Sequence, residues 1–256
     1  MRGLRDKTVI VTGGASGIGE AICHRLADEA MKIAIFDKNG NAAERVAAAL
    51  HGRARQVHVE VVDISDAQAV ERAVARTEIA FGAIDCLVNN AGWDRMMRFL
   101  DTDEAFRDTI MAINLKGPIN VTHAVAARME ARKYGRIVSI SSDAGRVGSS
   151  GQAVYSACKA GVVALSKTLA RELARSNILL NVVCPGPTQT PMMDAAIAND
   201  GASTQQTLER MAKDIPLRRM GQSTDIAGMV TFLLSDEASY ISGQVVSISG
   251  GLTMHG

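Results

Sequence analysis

A short apolar run, Thr8-Val9-Ile10-Val11, leads directly into Thr12-Gly13-Gly14-Ala15-Ser16-Gly17-Ile18-Gly19-Glu20, and this junction constrains the fold more tightly than any other stretch. Glycines at that spacing let a strand turn sharply into a helix, and the turn aims backbone N–H groups at an anionic ligand. Glycines also mark ordinary tight turns, so the cluster gains its meaning from standing between a strand and a helix. The alternation continues downstream: β-branched apolar runs at 32–36, 56–62, 84–88, 136–140, 178–183 and 244–248 are separated by Ala-rich amphipathic stretches such as 18–29, 42–50, 67–78 and 154–174. Helices of that length cross back over a sheet, which predicts a seven-stranded parallel sheet, doubly wound, in a three-layer α/β/α arrangement.

With 256 residues, 47% of them hydrophobic, the chain can bury a sizeable core and reads as one domain. Its net charge is +1 with both signs interspersed, so no broad basic face is available and nucleic acid is not expected as a partner. The opening residues 1–11 are too short in apolar content for a signal segment, and no stretch is long enough to span a bilayer. A cytoplasmic protein without a membrane partner is therefore expected. Cys23, Cys86, Cys158 and Cys184 stand singly in apolar surroundings, which predicts reduced, buried packing thiols, and the scattered histidines suggest no metal site. Residues 187–221, rich in Met, Asp, Ser and Thr, form the one conspicuous irregular region and read as a mobile substrate lid. Asn177, just after a helical stretch, fits a left-handed helix-ending residue.

Asp37 ends the second strand, where a carboxylate would accept both hydroxyls of an adenosine ribose and repel a 2′-phosphate. This Rossmann-type arrangement favours NAD over NADP; a solvated strand end is the plainer reading of Asp37. Lys38 is an opposing hint, but Ser16 leaves the glycine loop without an Arg or Lys to help it. Asp63-Ile64 after the third strand could meet the adenine edge, and Asn89-Asn90-Ala91-Gly92 ends the fourth strand, where open α/β sheets bind ligands.

Tyr155 and Lys159 lie one helical turn apart on the same face. Such a pair is common by chance, but here the helix follows a strand ending in Ser141-Ser142, and Asn114 adds a polar group to an otherwise apolar helix. With these motifs the chain resembles the short-chain dehydrogenase/reductase family from Lys7 to Ser249-Gly250-Gly251. The resemblance implies a catalytic tetrad of Asn114, Ser142, Tyr155 and Lys159. It implies that Thr12, Gly13, Ser16, Gly17, Ile18 and Gly19 hold the pyrophosphate, and that Asp37, Asp63, Ile64, Asn90, Ala91 and Gly92 line the adenosine side and the strand ends. Tyr155 and Lys159 also meet the cofactor, and Pro185, Gly186, Thr188 and Thr190 match the family's nicotinamide-binding turn. Leu179-Leu180-Asn181 departs from the more usual Arg-Val-Asn, a matter of packing. Because reduction of a carbonyl makes an alkoxide that needs a proton, Tyr155 is the expected acid/base, with the Lys159 ammonium favouring its phenolate.

Specificity in such a fold lies in loops. Trp93, Asp143, Arg146, Gln152, Met192 and Met193 are the expected substrate contacts, in a largely apolar pocket. Arg95, Arg98, Arg146, Arg210, Lys213, Arg218 and Arg219 could meet a phosphate-bearing handle such as coenzyme A, or be ordinary solvated charges. The stretches Asn89 through Asp94, Ser142 through Gly151, Asn181 through Thr188 and Ser249 through Met254 are similar to those of 2-hydroxycyclohexanecarboxyl-CoA dehydrogenases. A 3-oxoacyl thioester reductase or a dehydrogenase of a small cyclic alcohol would share the site. A non-catalytic NAD-binding regulator is the reading of another class, and four aligned proton-handling groups argue against it. The resemblance further implies a homotetramer assembled through helices near 103–127 and 154–174.

Overall fold

A computed structural model gives the fold and describes residues 1–191, 193–194 and 204–254. Seven strands, β1 (Thr8–Thr12), β2 (Lys32–Asp37), β3 (Gln56–Val61), β4 (Cys86–Asn89), β5 (Gly135–Ile140), β6 (Ile178–Pro185) and β9 (Val245–Ile248), form a parallel sheet in the order β3-β2-β1-β4-β5-β6-β9. Strand order reverses between β1 and β4, so the crevice at their carboxyl ends is where a ligand fits an open sheet of this kind. Successive residues of β1 serve opposite faces. Val9 and Val11 join the core under α1 (Gly17–Ala27) and the late helix α9 (Ser223–Leu234), while Ile10 joins the core under α3 (Ala67–Phe81) and α5 (Gly117–Arg132). The sheet is thus buried on both sides, and its strands read as continuous apolar runs.

Helix ends follow local chemistry. α1 stops at Ala27, short of the expected 29, because the chain then turns through Ala30 in the left-handed region (φ 57). α3 runs beyond the expected 78 to Phe81 and is closed by Gly82 (φ 84). Asn177 does take the left-handed conformation (φ 53), after α7 (Ala153–Glu172) and a short 3₁₀ turn, Ala174–Ser176. Two expectations need correction. Asn114 sits in a π-helical turn, Ala112–Lys116, inserted between α4 (Glu104–Met111) and α5. Residues 187–221 are not irregular throughout, since they carry helix α8 (Thr204–Asp214) and a two-residue parallel ladder of β7 (Thr188–Gln189) on β8 (Gly221–Gln222). Met192 and residues 195–203 of that region lie outside the described residues. Among the described residues, no helix is long and apolar enough to cross a membrane.

Candidate active site

The glycine loop is fixed by close backbone approaches. Gly13 has φ +63, and a Cβ there would meet Ala91 Cα at 2.8 Å; a Cβ on Gly19 would meet the Gly13 carbonyl oxygen at 2.0 Å. Only glycine lets the loop lie flat on the end of β4 and still enter α1. Thr12 is buried, and its hydroxyl accepts the N–H groups of Asn90 and Ala91, both at 3.0 Å. The Asn90 amide in turn donates to the carbonyls of Thr12 and Gly13, each at 3.0 Å. These two side chains shape the loop with groups that the sequence reading had assigned to direct ligand contact. Asp37 borders the same turn, one carboxylate oxygen accepting the Ala15 N–H (3.1 Å) and the other the Asn39 N–H (2.9 Å). Arg45, not foreseen from the sequence, reaches the Ala15 carbonyl (3.2 Å) while paired with Glu20 (2.8 Å). Asp63 folds onto Ser65, and Ile64 is buried and would be struck by a Cβ on Gly117 at 2.4 Å.

The chemical groups converge beyond β5. Tyr155, Cys158, Lys159 and Val162 form the buried face of α7, as a helical period of three to four requires. The end of β5 is stapled to this face, because Ser141 Oγ donates to the Lys159 carbonyl (2.8 Å) and Lys159 Nζ donates to the Ile140 carbonyl (3.0 Å). The short helix α6 (Ala144–Val147) packs so closely on α7 that a Cβ on Gly145 would stand 2.8 Å from the Lys159 Cβ. That approach sets the Ser142 hydroxyl, which accepts the Ala144 N–H at 3.1 Å, beside the Tyr155 phenol, near enough to act on its proton. Lys159 Nζ lies 5.5 Å from the centre of the Tyr155 ring. Asn114 is fully buried; its amide donates to the carbonyls of Trp93 (2.7 Å) and Ile110 (3.0 Å) and accepts the Trp93 N–H (3.2 Å). It therefore clamps the loop after Gly92, and a Cβ on Gly92 would come within 3.0 Å of its carbonyl oxygen and 3.4 Å of Lys159 Nζ.

Electrostatics differ from the expectation that Lys159 would lower the phenol. Burial pushes Tyr155 above the ordinary phenol range and the nearby Asp94 carboxylate adds to this, while the Ser142 hydrogen bond opposes it. Burial also lowers Lys159 to about 8, so part of the ammonium charge is lost just above neutrality. Asp94 is raised by its own burial, against the hydrogen bond from Gln152. The Gln152 amide meets its carboxylate at 2.6 Å, and both line a cleft with Tyr155, Met97, Phe99 and Phe106. Trp93 meets Phe106 edge to face, with ring centres 6.1 Å apart. Asp94 lies in the loop after Gly92 that the sequence marks for specificity, but its carboxylate is not among the expected substrate contacts, because its burial beside Tyr155 is not visible in the sequence.

Of the other expected substrate contacts, Asp143 is buried and accepts the Ser247 hydroxyl, to which Arg146 also donates at 2.8 Å. Both side chains bond toward Ser247 on β9, and the second Asp143 carboxylate oxygen, Oδ2, is buried without a hydrogen-bond partner. Asp143 also donates its backbone N–H to the Pro185 carbonyl (3.0 Å), fixing the Pro185-Gly186 turn beside Ser142. Thr188 donates to the Gly186 carbonyl (2.9 Å), and Thr190 accepts the Met193 N–H (3.2 Å). Met192 lies outside the described residues. All four cysteines are buried free thiols, with Cys86 pushed up to about 12 and Cys184 to about 11 by burial.

A family model described as Enoyl-(Acyl carrier protein) reductase matches residues 13–253. The oxidoreductase UcpA of Salmonella typhimurium is 40% identical over 253 residues, covering 98% of this chain and 96% of that protein. The 3-oxoacyl-(acyl-carrier-protein) reductase FabG of Staphylococcus aureus is 37% identical over 249 residues, covering 97% and 98%. Among solved structures, an actinorhodin polyketide ketoreductase with NADPH superposes with a TM-score of 0.94 at 31% identity, covering 100% of both chains. An NAD+-bound xylitol dehydrogenase superposes with a TM-score of 0.92 at 32% identity, covering 98% of this chain and 100% of the other.

Proposed function

The chain belongs to the short-chain dehydrogenase/reductase family and is an oxidoreductase of CH–OH groups using a nicotinamide cofactor, and from that premise we propose an NAD-dependent enzyme that interconverts a secondary alcohol and a ketone on a hydroxyacyl-CoA such as 2-hydroxycyclohexanecarboxyl-CoA. The observation that carries the reading is the convergence of the half-buried Ser142 with the buried Tyr155 and Lys159 at the end of β5.

The residues present fit a dinucleotide. No side chain projects from Gly13, Gly17 or Gly19, and a Cβ on Gly17 would come within 3.6 Å of Thr190, filling the gap between the glycine loop and the segment after Pro185-Gly186. The N–H groups at the start of α1 would hold a pyrophosphate there. Preference for NAD is supported by the Asp37 carboxylate beside the loop; the Arg45 guanidinium that could favour a 2′-phosphate is already paired with Glu20.

When bound, the nicotinamide supplies the hydride exchange at the carbinol carbon. Tyr155 gives a proton to the carbonyl oxygen in reduction and removes it from the alcohol in oxidation. Ser142 donates a hydrogen bond to that same oxygen, in a site whose burial strengthens the interaction. Lys159, held by the Ile140 carbonyl, keeps a cation near the phenol below about pH 8. Asn114 holds the Trp93 backbone and thereby the wall of the cleft.

The coenzyme A reading is supported by the exposed Arg95 and Arg98 in the loop that lines the cleft, where Arg95 lies over the Phe106 ring (5.3 Å) and Arg98 makes only a long surface pair with Asp101 (4.0 Å), whereas Arg146 and Arg219 are engaged with Ser247 and Asp225. A 3-oxoacyl thioester reductase is the second reading, favoured by the 37% identity to FabG. The test is nicotinamide absorbance with racemic 2-hydroxycyclohexanecarboxyl-CoA, NAD and NADP side by side, and the free acid as control. Turnover with NAD and the thioester is expected; turnover confined to 3-oxoacyl thioesters would replace the substrate assignment. We further propose a cytoplasmic homotetramer built through α4, α5 and α7, supported by Met111 and Ile119, which expose apolar surface on α4 and α5. Sedimentation velocity is expected to give a tetramer, and a monomer alone would refute it.

A further inference from the structure

Asp94 carries a negative charge into the cleft that Tyr155 closes. Its position is rigid, because Asn114 clamps both the N–H and the carbonyl of the preceding Trp93. Its carboxylate is bonded to neutral donors, the Gln152 amide at 2.6 Å and the Arg95 backbone N–H. Lys159 weakly stabilises it but is itself held by the Ile140 carbonyl, and the Arg95 guanidinium is turned outward over the Phe106 ring, 5.3 Å from its centre. The rest of the nearby wall is mostly apolar, with Met97, Phe99, Phe106, Ala153 and Val154, and its other polar side chains, Thr102, Gln152 and Tyr155, carry no cation. A carboxylate placed among such neighbours meets a second anion with little screening, since the cleft holds few dipoles to answer the added charge.

We propose that Asp94 is a specificity-determining residue that excludes substrates bearing a free carboxylate next to the reacting carbinol, so that the site accepts uncharged acyl derivatives such as thioesters, esters and amides. The inference deepens the reading of the site as a secondary-alcohol dehydrogenase and rests on it for the identity of the reacting carbon. Asp94 is not assigned a proton-transfer role. The raised position of its own carboxyl agrees with a charge that is already poorly solvated. Two like charges about 5 Å apart in a partly buried site discriminate by roughly a hundredfold.

The test separates binding from turnover. Calorimetry on the enzyme with NAD compares cyclohexanecarboxamide with cyclohexanecarboxylate, in the wild type and in Asp94→Asn, at mildly alkaline pH. Asparagine keeps an acceptor for Gln152 and removes the charge. The wild type is expected to prefer the amide, and Asp94→Asn to shrink that preference at least about tenfold; Asp94→Glu, which keeps the charge, is expected to retain it. An amide preference that is absent in the wild type, or equal in wild type and Asp94→Asn, overturns the proposal. Turnover of the ethyl ester of 2-hydroxycyclohexanecarboxylic acid is measured in parallel. A shifted binding ratio without turnover of any secondary alcohol would sink the functional reading and leave the charge filter standing; turnover with an unchanged ratio would do the reverse.

Discussion

At the scale of single residues, the proton inventory of the cleft sets the pH behaviour. Tyr155 is raised by burial and by Asp94, with Cys184 adding and Ser142 opposing, so at neutral pH the phenol keeps its proton and is ready to donate it. Alcohol oxidation needs the phenolate, and a raised phenol delays its formation as pH rises. Oxidation is therefore expected to climb with pH, while reduction holds until the phenol itself ionises above the ordinary phenol range. Asp94→Asn removes a negative charge that disfavours phenolate, so the oxidative limb should move to lower pH; initial rates across pH in both proteins check this, and a shift to higher pH would contradict the assignment. The Tyr155 and Lys159 spacing was legible in the sequence because helical periodicity alone puts positions four apart on one face. The direction of the phenol shift was not, because it depends on burial and on Asp94, which reaches the site from the loop after the neighbouring strand β4.

At the scale of elements, close packing of short segments decides whether the groups meet. α6 rests on α7 through Gly145, and an alanine there would place its Cβ 2.8 Å from backbone and Cβ atoms of Lys159. Gly145→Ala is expected to cost about 1–3 kcal/mol of stability by overpacking and to lower turnover by moving Ser142 from Tyr155. Gly228, inside α9 with open space around its missing Cβ, provides the opposite case: Gly228→Ala is expected to gain about 0.5–1 kcal/mol. Denaturant unfolding of both variants checks the pair, and equal effects of one sign would contradict the packing argument. The sequence showed where helices and strands run because period and β-branching are local properties. It did not show the π turn around Asn114, whose bonds to Trp93 come from a loop far away in sequence, or the two-residue β7 and β8 ladder, which is too short to leave a pattern.

At the scale of the molecule, a parallel sheet whose order reverses between β1 and β4 places the glycine loop, the Asn90 anchor and the Tyr155 cleft along one edge. That architecture was readable from the sequence because each strand and its crossover helix repeat one unit. The bonding of Thr12, Asn90, Asp143 and Arg146 could not be read from the sequence, since each meets backbone groups or Ser247 only once the sheet is assembled. The central claim is that Tyr155 handles the proton of a secondary alcohol. Its most direct test is the NAD-linked turnover assay with 2-hydroxycyclohexanecarboxyl-CoA and the ethyl ester, run on the wild type and on Tyr155→Phe, with NAD affinity measured by fluorescence. The account predicts that Tyr155→Phe loses about a hundredfold or more in turnover while still binding NAD; turnover that survives undiminished would contradict it.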